Sequence, residues 1–494
     1  MKIDNKISVH KKSIVGMVHG VFDIIHYGHM LYFKEAKSKV DYLIVSVTSD
    51  KHVNKGPGKP IFNIKKRVEV LESIKYIDKV VISDTSTAVK NIENLKPDFY
   101  IKGKDYKNLK SDLSKQILTE KNAVEKYGGK ILFTNSELHS SSSIANNAFE
   151  FINDDIKNIL RKIDIVKFEK NSQKLVKNKL SKKVLVIGDP IIDVLRFVET
   201  SGKSNKSNVI STKYLQEEEN SGGVLLVANF LNLFCQNVTL LFSGESESVN
   251  LIKRHLNKNI KLIHIKTKNK LIKKIRYIDN YSNNRLFQNN QNEEDKFSNL
   301  EEKKVISKID LIQKNYDEIL YFDYGYVYSN KKLINFVHKL SKKLTINCQS
   351  NSYNFGFNLA DKYKSGKTIS MDEAEFRLVV KNKEEELNNL VKKNIKLFSK
   401  FDYLIITQGK KGCYLKKNNE IIYVPCIVNI SVDSTGSGDI FLSMFFVSMI
   451  SKNFSEIESL INAHVAAGLH SNQLGNRFNL SPLNISKIIS SILK

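Results

Sequence analysis

Tryptophan is absent from this 494-residue sequence, proline occurs six times, cysteine four times, and arginine supplies only eight of the 78 basic residues. Each scarcity excludes something. The cysteines, Cys235, Cys348, Cys413 and Cys426, form no CxxC pair and have no neighbouring histidine to complete a zinc pattern. Neither a disulfide scaffold nor a structural zinc site is therefore expected, and buried free thiols are. No apolar run approaches the roughly 18 residues of a membrane span; the nearest, around residues 440–450, is short and carries serines. The opening MKIDNKISVHKK has charge but no apolar stretch behind it, which argues against a signal peptide. A cytoplasmic protein with no membrane partner is expected. The net charge of +26 is almost entirely lysine, spread along the whole chain beside abundant Asn and Ile. Nucleic-acid readers lean on the arginine fork for bidentate contacts. Compositional drift accounts for the charge, and a nucleic-acid partner is not expected.

The length allows two to four domains at about 100–200 residues each. From Ile14 to Phe133 short apolar runs alternate with helical patterns, as in Tyr42–Val47 followed by Lys65–Ile74. That rhythm indicates a parallel, doubly wound sheet. Residues 153–183 are lysine-rich and free of glycine and proline, with a helical stretch at Asp154–Val166. They read as a connector between a first domain over 1–152 and a second over 184–494. The alternative for the connector is a helix that pairs two copies, which leaves a homodimer open. In the second domain β segments near residues 196–199 and 209–215, and a hairpin turning at Asn283-Asn284, interrupt the strand–helix alternation.

Residues 19–29 read HGVFDIIHYGH. A strand ends here and a helix begins. His26 and His29, three apart, share one face of the first turn. Gly28 lets a phosphate approach the backbone, and the helix N-terminus adds free N–H groups and a positive partial charge. Two imidazoles on such a turn suit charge developing on a phosphate during nucleotidyl transfer. With Gly20 and Phe22 in the preceding turn, the segment resembles the cytidylyltransferase-like nucleotidyltransferases, and the resemblance runs through residues 14–150. It implies a nucleotide- and phosphate-binding set of Gly20, Phe22, Gly28, Lys55 in a basic KGPGKP loop, Arg67, Lys102 and Asp105 of a KGxDY segment, and Ser141, Ser142 and Ser143 before a helix. The arginine often found just upstream of that serine cluster in the family is replaced here by the neighbourhood of His139.

Residues 433–439 read DSTGSGD and lead into an apolar helix. Backbone N–H groups at Gly436, Ser437 and Gly438 would form an anion hole, and Asp439 at the helix start is placed to accept a proton from a hydroxyl. Across residues 184–494 this resembles the PfkB, or ribokinase, carbohydrate kinases. The resemblance implies sugar contacts at Asp189, Asp193, Gly222, Gly223 and Asn229. It also implies a metal and phosphate role for Glu375, and a nucleotide cradle at Thr407, Gly409, Gly412 and Asn462. Two departures stand out: Asn347-Cys348-Gln349-Ser350 where the family often has Asp-Pro, and Asp372 in place of the asparagine of its N-x-x-E motif.

The expected fold class is α/β throughout: a Rossmann-like nucleotidyltransferase domain, then a ribokinase-like domain with a small β lid. The pair resembles the bifunctional heptose 7-phosphate kinase / heptose 1-phosphate nucleotidyltransferases, with the two parts in the opposite order. The resemblance implies two reactions: ATP phosphorylates a heptose-like sugar or sugar phosphate, and a sugar 1-phosphate then attacks an NTP, releasing pyrophosphate. Mg²⁺ with ATP, CTP or both is expected, its ligands being the phosphates and Glu375. The alternative is an active nucleotidyltransferase joined to a catalytically weakened, sugar-binding kinase domain.

Overall fold

The computed structural model describes residues 13–53, 60–103, 116–135, 154–203, 207–428 and 431–493. Lys55, Asp105, Ser141, Ser142 and Ser143 lie outside the described residues. The chain divides into two compact units, one running to Asp154 and including the C-terminal residues from Ser486, the other spanning Asp155–Ile485.

In the first unit the apolar runs become five strands: β1 (Val15–Gly20), β2 (Tyr42–Thr48), β3 (Lys79–Ser83), β4 (Phe99–Lys102) and β5 (Lys130–Phe133). All are parallel, in the order β3-β2-β1-β4-β5. A parallel strand is covered by helices on both faces, so it can be apolar without alternation. Leu43, Ile44, Val45 and Val47 of β2 are all fully buried. Val40, at the end of the helix Tyr27–Lys37, packs so closely on β1 that a Cβ at Gly16 would lie 2.7 Å from it. The strand order reverses between β1 and β4, and open α/β sheets bind ligands at the carboxyl edge of such a switch point. The His26–His29 turn leaves β1 at that edge.

The second unit holds a nine-stranded sheet and a four-stranded one. Its strands are β6 (Leu180–Gly188), β7 (Pro190–Lys203), β8 (Ile210–Gly223), β9 (Cys235–Gly244), β10 (Lys261–Lys266), β11 (Ile272–Asp279), β12 (Arg285–Gln291), β13 (Glu318–Asp323), β14 (Leu344–Cys348), β15 (Gly366–Asp372), β16 (Phe401–Thr407), β17 (Gly412–Lys417) and β18 (Glu420–Pro425). The large sheet runs β10-β9-β6-β13-β14-β15-β16-β17-β18, parallel except for its last two strands. The small sheet, β12-β11-β7-β8, is the lid. Its hairpin turns where expected, with Asn283 at φ 58°. Its other two strands are far longer than the sequence pattern suggested, because β7 starts two residues after β6 and pairs with β8 along almost its whole length.

Residues 154–177 are helical, as Asp154–Leu160 and Ile165–Lys177. The second of these helices is part of the second unit. Phe168 is fully buried with its ring edge-on to Phe454, and Asn171 donates to the Asn453 carbonyl at 2.6 Å.

Candidate functional site

In the first unit β1 ends at Gly20, and Phe22 takes φ 48°, turning the chain sharply. A Cβ at Gly20 would lie 2.9 Å from the Phe22 ring, so the turn needs glycine there. Asp23 accepts from the backbone N–H groups of Ile61 and Phe62 at 2.8 and 3.0 Å, tying the turn to the chain ahead of the helix Ile64–Glu72. The next helix begins at Tyr27 with His26 as its N-cap residue; the N–H groups of His29 and Met30 bond the His26 carbonyl. The two imidazoles lie with centroids 4.0 Å apart and planes tilted by 39°, and His29 rests edge-on against Phe22. Gly28 is buried beneath them. Two imidazoles over an apolar floor at a helix N-terminus suit an anion.

Neither of the expected basic partners reaches out of this turn. Arg67 is almost completely buried, and its guanidinium donates to the carbonyls of Phe62 (2.9 Å), Val21 (2.5 Å) and Thr48 (2.8 Å) and to Asp50 (2.7 Å). Every nitrogen is engaged, so Arg67 joins the loops around the site and does not offer a phosphate contact. Lys102 pairs with Glu120 at 3.2 Å. Burial pushes the Glu120 carboxyl up, but Lys102 and the Ala88 N–H outweigh it and hold it below the usual carboxylate range. His19 went unnoticed in the sequence. It bonds Ser46 at 2.8 Å, and desolvation, with the Lys102 charge, drives its pKa to about 4, so it is neutral at pH 7.

In the second unit the glycine turn forms as expected. Gly436 caps the helix Ser437–Ser451 with φ 72°. The Ser437 N–H is already bonded to the Ser434 carbonyl. Gly438 and Asp439 lie in the first turn, where N–H groups have no acceptor within the helix. Asp439 is buried and accepts from Asn347 Nδ2 at 2.9 Å. Burial pushes its carboxyl up to about 7, against the pull of Tyr324, Asn347 and Lys274 and with the help of the Asp193 charge.

Asp193 is buried between Arg276 and Asn476, which bond one carboxylate oxygen each. A Cβ on Gly222 would overlap the second oxygen. A Cβ on Gly223, at φ 52°, would lie 2.5 Å from the Asp189 backbone carbonyl oxygen. Asp189 is also buried; desolvation and the Asp323 charge push it up to about 8. Gly222 therefore lets the Asp193 carboxylate sit against the lid strand, and Gly223 lets that strand's end pass the Asp189 backbone. Asn229 is placed differently: its amide donates to Ser221 and to the His255 carbonyl and accepts from Asn257, and so fastens the lid's base. Leu226, on the helix Val224–Phe234 that also carries Asn229, lies 2.7 Å from where a Gly436 Cβ would be.

Glu375 caps its own helix, accepting from Asp372 N–H (2.8 Å) and from Ser350 N–H (2.5 Å), and burial raises its pKa to about 7. Thr407 ends β16, and the turn behind it uses Gly409 (φ 54°) and Gly412 (φ 124°), closed by the bond from Gln408 N–H to the Gly412 carbonyl. Asn462 is fully buried and donates to Ser448 at 3.1 Å, joining two helices. The sequence reading missed Arg276, Asn476, Asn347 and Arg285. Asn347 was visible only as a departure; the others lie in no spaced motif.

A nine-stranded sheet with a four-stranded one is thus joined in one chain to a separate five-stranded parallel sheet. Residues 17–147 match the family model described as Cytidylyltransferase-like, and residues 181–481 match pfkB family carbohydrate kinase. The second match covers more than half of the chain: the chain belongs to the pfkB family of carbohydrate kinases. Among curated relatives, "Bifunctional protein HldE" of Helicobacter pylori (strain Shi470) is 43% identical over 101 residues, 20% of this chain and 22% of that protein. The protein of the same name from Geobacter metallireducens (strain ATCC 53774 / DSM 7210 / GS-15) is 37% identical over 122 residues, 24% of this chain and 23% of its own. These matches span under a quarter of the relatives' length and fall in the N-terminal part of this chain. Phosphofructokinase-2 from Escherichia coli, in complex with potassium, superposes with a TM-score of 0.50 at 13% identity, covering 64% of this chain and 100% of that one. That likeness shows the ribokinase-like fold.

Among the described residues no helix is long and apolar enough to cross a membrane, and no group of three or more His, Cys, Asp or Glu side chains is arranged to hold a metal.

Proposed function

We propose that the chain carries out two reactions of sugar-nucleotide synthesis in the cytoplasm. The second unit phosphorylates a sugar or sugar phosphate of heptose-like kind with ATP. The first transfers a nucleotidyl group from ATP or CTP to a sugar 1-phosphate and releases pyrophosphate. The observation that carries the reading is Asp439: a buried carboxyl, raised by burial to about 7, in the first turn of a helix capped by Gly436, where the Gly438 N–H has no acceptor within the helix. A base near the working pH is half ionised and still strong enough to draw a proton from a hydroxyl.

In the kinase step Asp439 takes the hydroxyl proton while the first-turn N–H groups of Gly438 and Asp439 receive the phosphoryl oxygens. Asp193, fixed by Arg276 and Asn476, orients the sugar. In the other unit His26 and His29 donate to the phosphate under attack. Magnesium supplies charge neutralisation on the nucleotide phosphates. Glu375 would help to hold it: each carboxylate oxygen accepts one backbone N–H and keeps a lone pair for the metal or its water.

A kinase domain that binds sugar but turns over weakly is the second reading, favoured by Asn347-Cys348-Gln349-Ser350 and Asp372 standing where the family often has Asp-Pro and the asparagine of N-x-x-E. Mass-spectrometric profiling of the full chain with mixed sugars, sugar phosphates and NTPs tests both. Sugar-dependent ADP formation and NDP-sugar formation support the first reading. NDP-sugar without ADP supports the second, and neither product overturns both. Light scattering on the same sample reports whether a homodimer forms.

A further inference from the structure

The lid hairpin puts one arginine directly on the glycine turn. Arg285 opens β12, and its Nη2 bonds both the Asp433 carboxylate and Thr435 Oγ1, the latter at 2.7 Å. Asp433 is a hub: it also accepts from the Thr435 N–H (2.9 Å), the Thr435 hydroxyl (2.8 Å) and the Gly475 N–H (2.8 Å). Burial alone would raise its carboxyl, but these donors and Arg285 hold it below the usual range, so it remains an anion at neutral pH. An ionised, nearly buried carboxylate at the mouth of the turn thus anchors one nitrogen of a guanidinium that is itself 41% exposed. Among the described residues, Nε and Nη1 of Arg285 engage no acceptor. Arginine's donors form a rigid planar fork, so fixing one nitrogen fixes the direction of the others.

We propose that Arg285 is a catalytic residue of the kinase reaction, carried in by the lid, with Asp433 and Thr435 as the positioning residues that aim it. The inference rests on the kinase reading given above. In that reaction the sugar hydroxyl oxygen bonds to the γ-phosphorus while the bond to the β,γ-bridging oxygen breaks. The hydroxyl proton passes to Asp439, and ADP leaves with the bridging oxygen and its electron pair. Negative charge spreads over the three equatorial oxygens of the transferring group, held by the N–H groups that follow Gly436. Arg285 anchored beside Thr435 donates to one of them from Nε or Nη1. A lid that must be down for this arginine to arrive makes hydrolysis of ATP without sugar slow, since the hairpin that supplies the cation is the one that covers the sugar.

The test uses the full-length chain and two readouts. Sugar-dependent ADP formation is compared in wild type, Arg285→Ala and Arg285→Lys, with and without added guanidinium. The expected result is a kcat lower by about 100-fold or more in Arg285→Ala, at a sugar KM changed less than about threefold. Arg285→Lys should recover part of the rate, and guanidinium should restore part of it in the alanine variant only. The second readout needs no turnover: binding of Mg²⁺-ADP with and without aluminium fluoride by calorimetry. Arg285→Ala should lose the preference for the fluoride complex and keep its affinity for ADP. An alanine variant with unchanged kcat, or one whose loss lies wholly in KM, overturns the proposal. So does an unchanged preference for the fluoride complex, even if no sugar supports turnover. Absence of sugar-dependent ADP formation in the wild type counts instead against the kinase reading, and NDP-sugar formation by the first unit should be unaffected in every variant.

Discussion

Replacing Asp439 with asparagine should make the second unit more stable at alkaline pH while removing its kinase activity. The carboxyl has a pKa of about 7 in the folded chain and lies in the ordinary aspartate range near 3.8 when unfolded. The sign follows from proton linkage. Below about pH 4 the group is protonated in both states and makes no difference. Between about pH 4 and 7 the unfolded chain ionises it and the folded chain does not, so stability falls as pH rises through this window and levels off above it. A shift of about three units is worth about 4 kcal/mol, as an upper figure for a group enclosed by Asp193, Lys274, Tyr324 and Asn347. Asparagine keeps an oxygen for the 2.9 Å bond from Asn347 and leaves no charge to bury. It forfeits the favourable negative charge in the helix's first turn, about 0.3–1 kcal/mol. The net expectation is a gain of a few kcal/mol at pH 8 that vanishes near pH 4. Asp189 and Glu375 are raised in the same direction, so the wild type's own pH dependence is a composite. The difference between wild type and variant isolates Asp439. Thermal unfolding at pH 4.5, 6 and 8 gives the stability, and sugar-dependent ADP formation over the same range gives the rate. Wild-type kcat/KM should rise to a plateau through about pH 7, while the variant should be about 100-fold slower or worse and flat. A variant that is less stable than wild type at pH 8, or that keeps the wild-type pH–rate profile, refutes the assignment of a buried, functional base.

Four further outcomes are expected. His26→Ala or His29→Ala should lower pyrophosphate release by about 100–1000-fold and spare sugar-dependent ADP formation, measured side by side on one preparation. Arg67→Lys should lower the unfolding midpoint of the first unit, because a lysine cannot serve three carbonyls and Asp50 at once; an unchanged midpoint with a raised KM for NTP would return Arg67 to a substrate role. Gly222→Ala should abolish sugar-dependent ADP formation, since the added Cβ overlaps the Asp193 carboxylate; calorimetry with sugar phosphates shows whether binding goes with it. A chain beginning at Leu180 lacks Phe168, whose ring packs edge-on against Phe454, and should unfold at lower temperature than one beginning at Asp154, compared by thermal unfolding.

What the sequence made legible was local. HxGH and DxTGxGD each place their side chains by spacing along one turn, and each leads into a helix as its pattern required. The parallel sheets were legible for a similar reason: a run such as Leu43–Val47 has no polar face to expose. The lid was read only in fragments, because half of its residues face water and its long β7–β8 pairing is set by register across the sheet and not by any period along the chain.

Residues that act across the fold were opaque, and the eight arginines illustrate why. Arg67 stood in a motif and was read as a phosphate ligand, yet the carbonyls of Val21, Phe62 and Thr48 converge on it from three separate segments and engage all its donors. Arg285 stood beside a hairpin turn and suggested nothing, yet that turn swings it onto Asp433, 148 residues away in sequence. The same side chain is buried and fully bonded in one place and half-exposed beside the glycine turn in the other. The difference lies in what surrounds it: buried carbonyls satisfy a guanidinium completely, whereas a single carboxylate at a half-open turn engages one nitrogen and leaves two to act. A buried, fully bonded arginine cannot change partners during a reaction without leaving several carbonyls unsatisfied, at about 1–3 kcal/mol each. A singly anchored one can add a partner at no such cost, which is the physical reason to seek catalytic cations among the half-exposed arginines of a site and not among its most deeply buried ones.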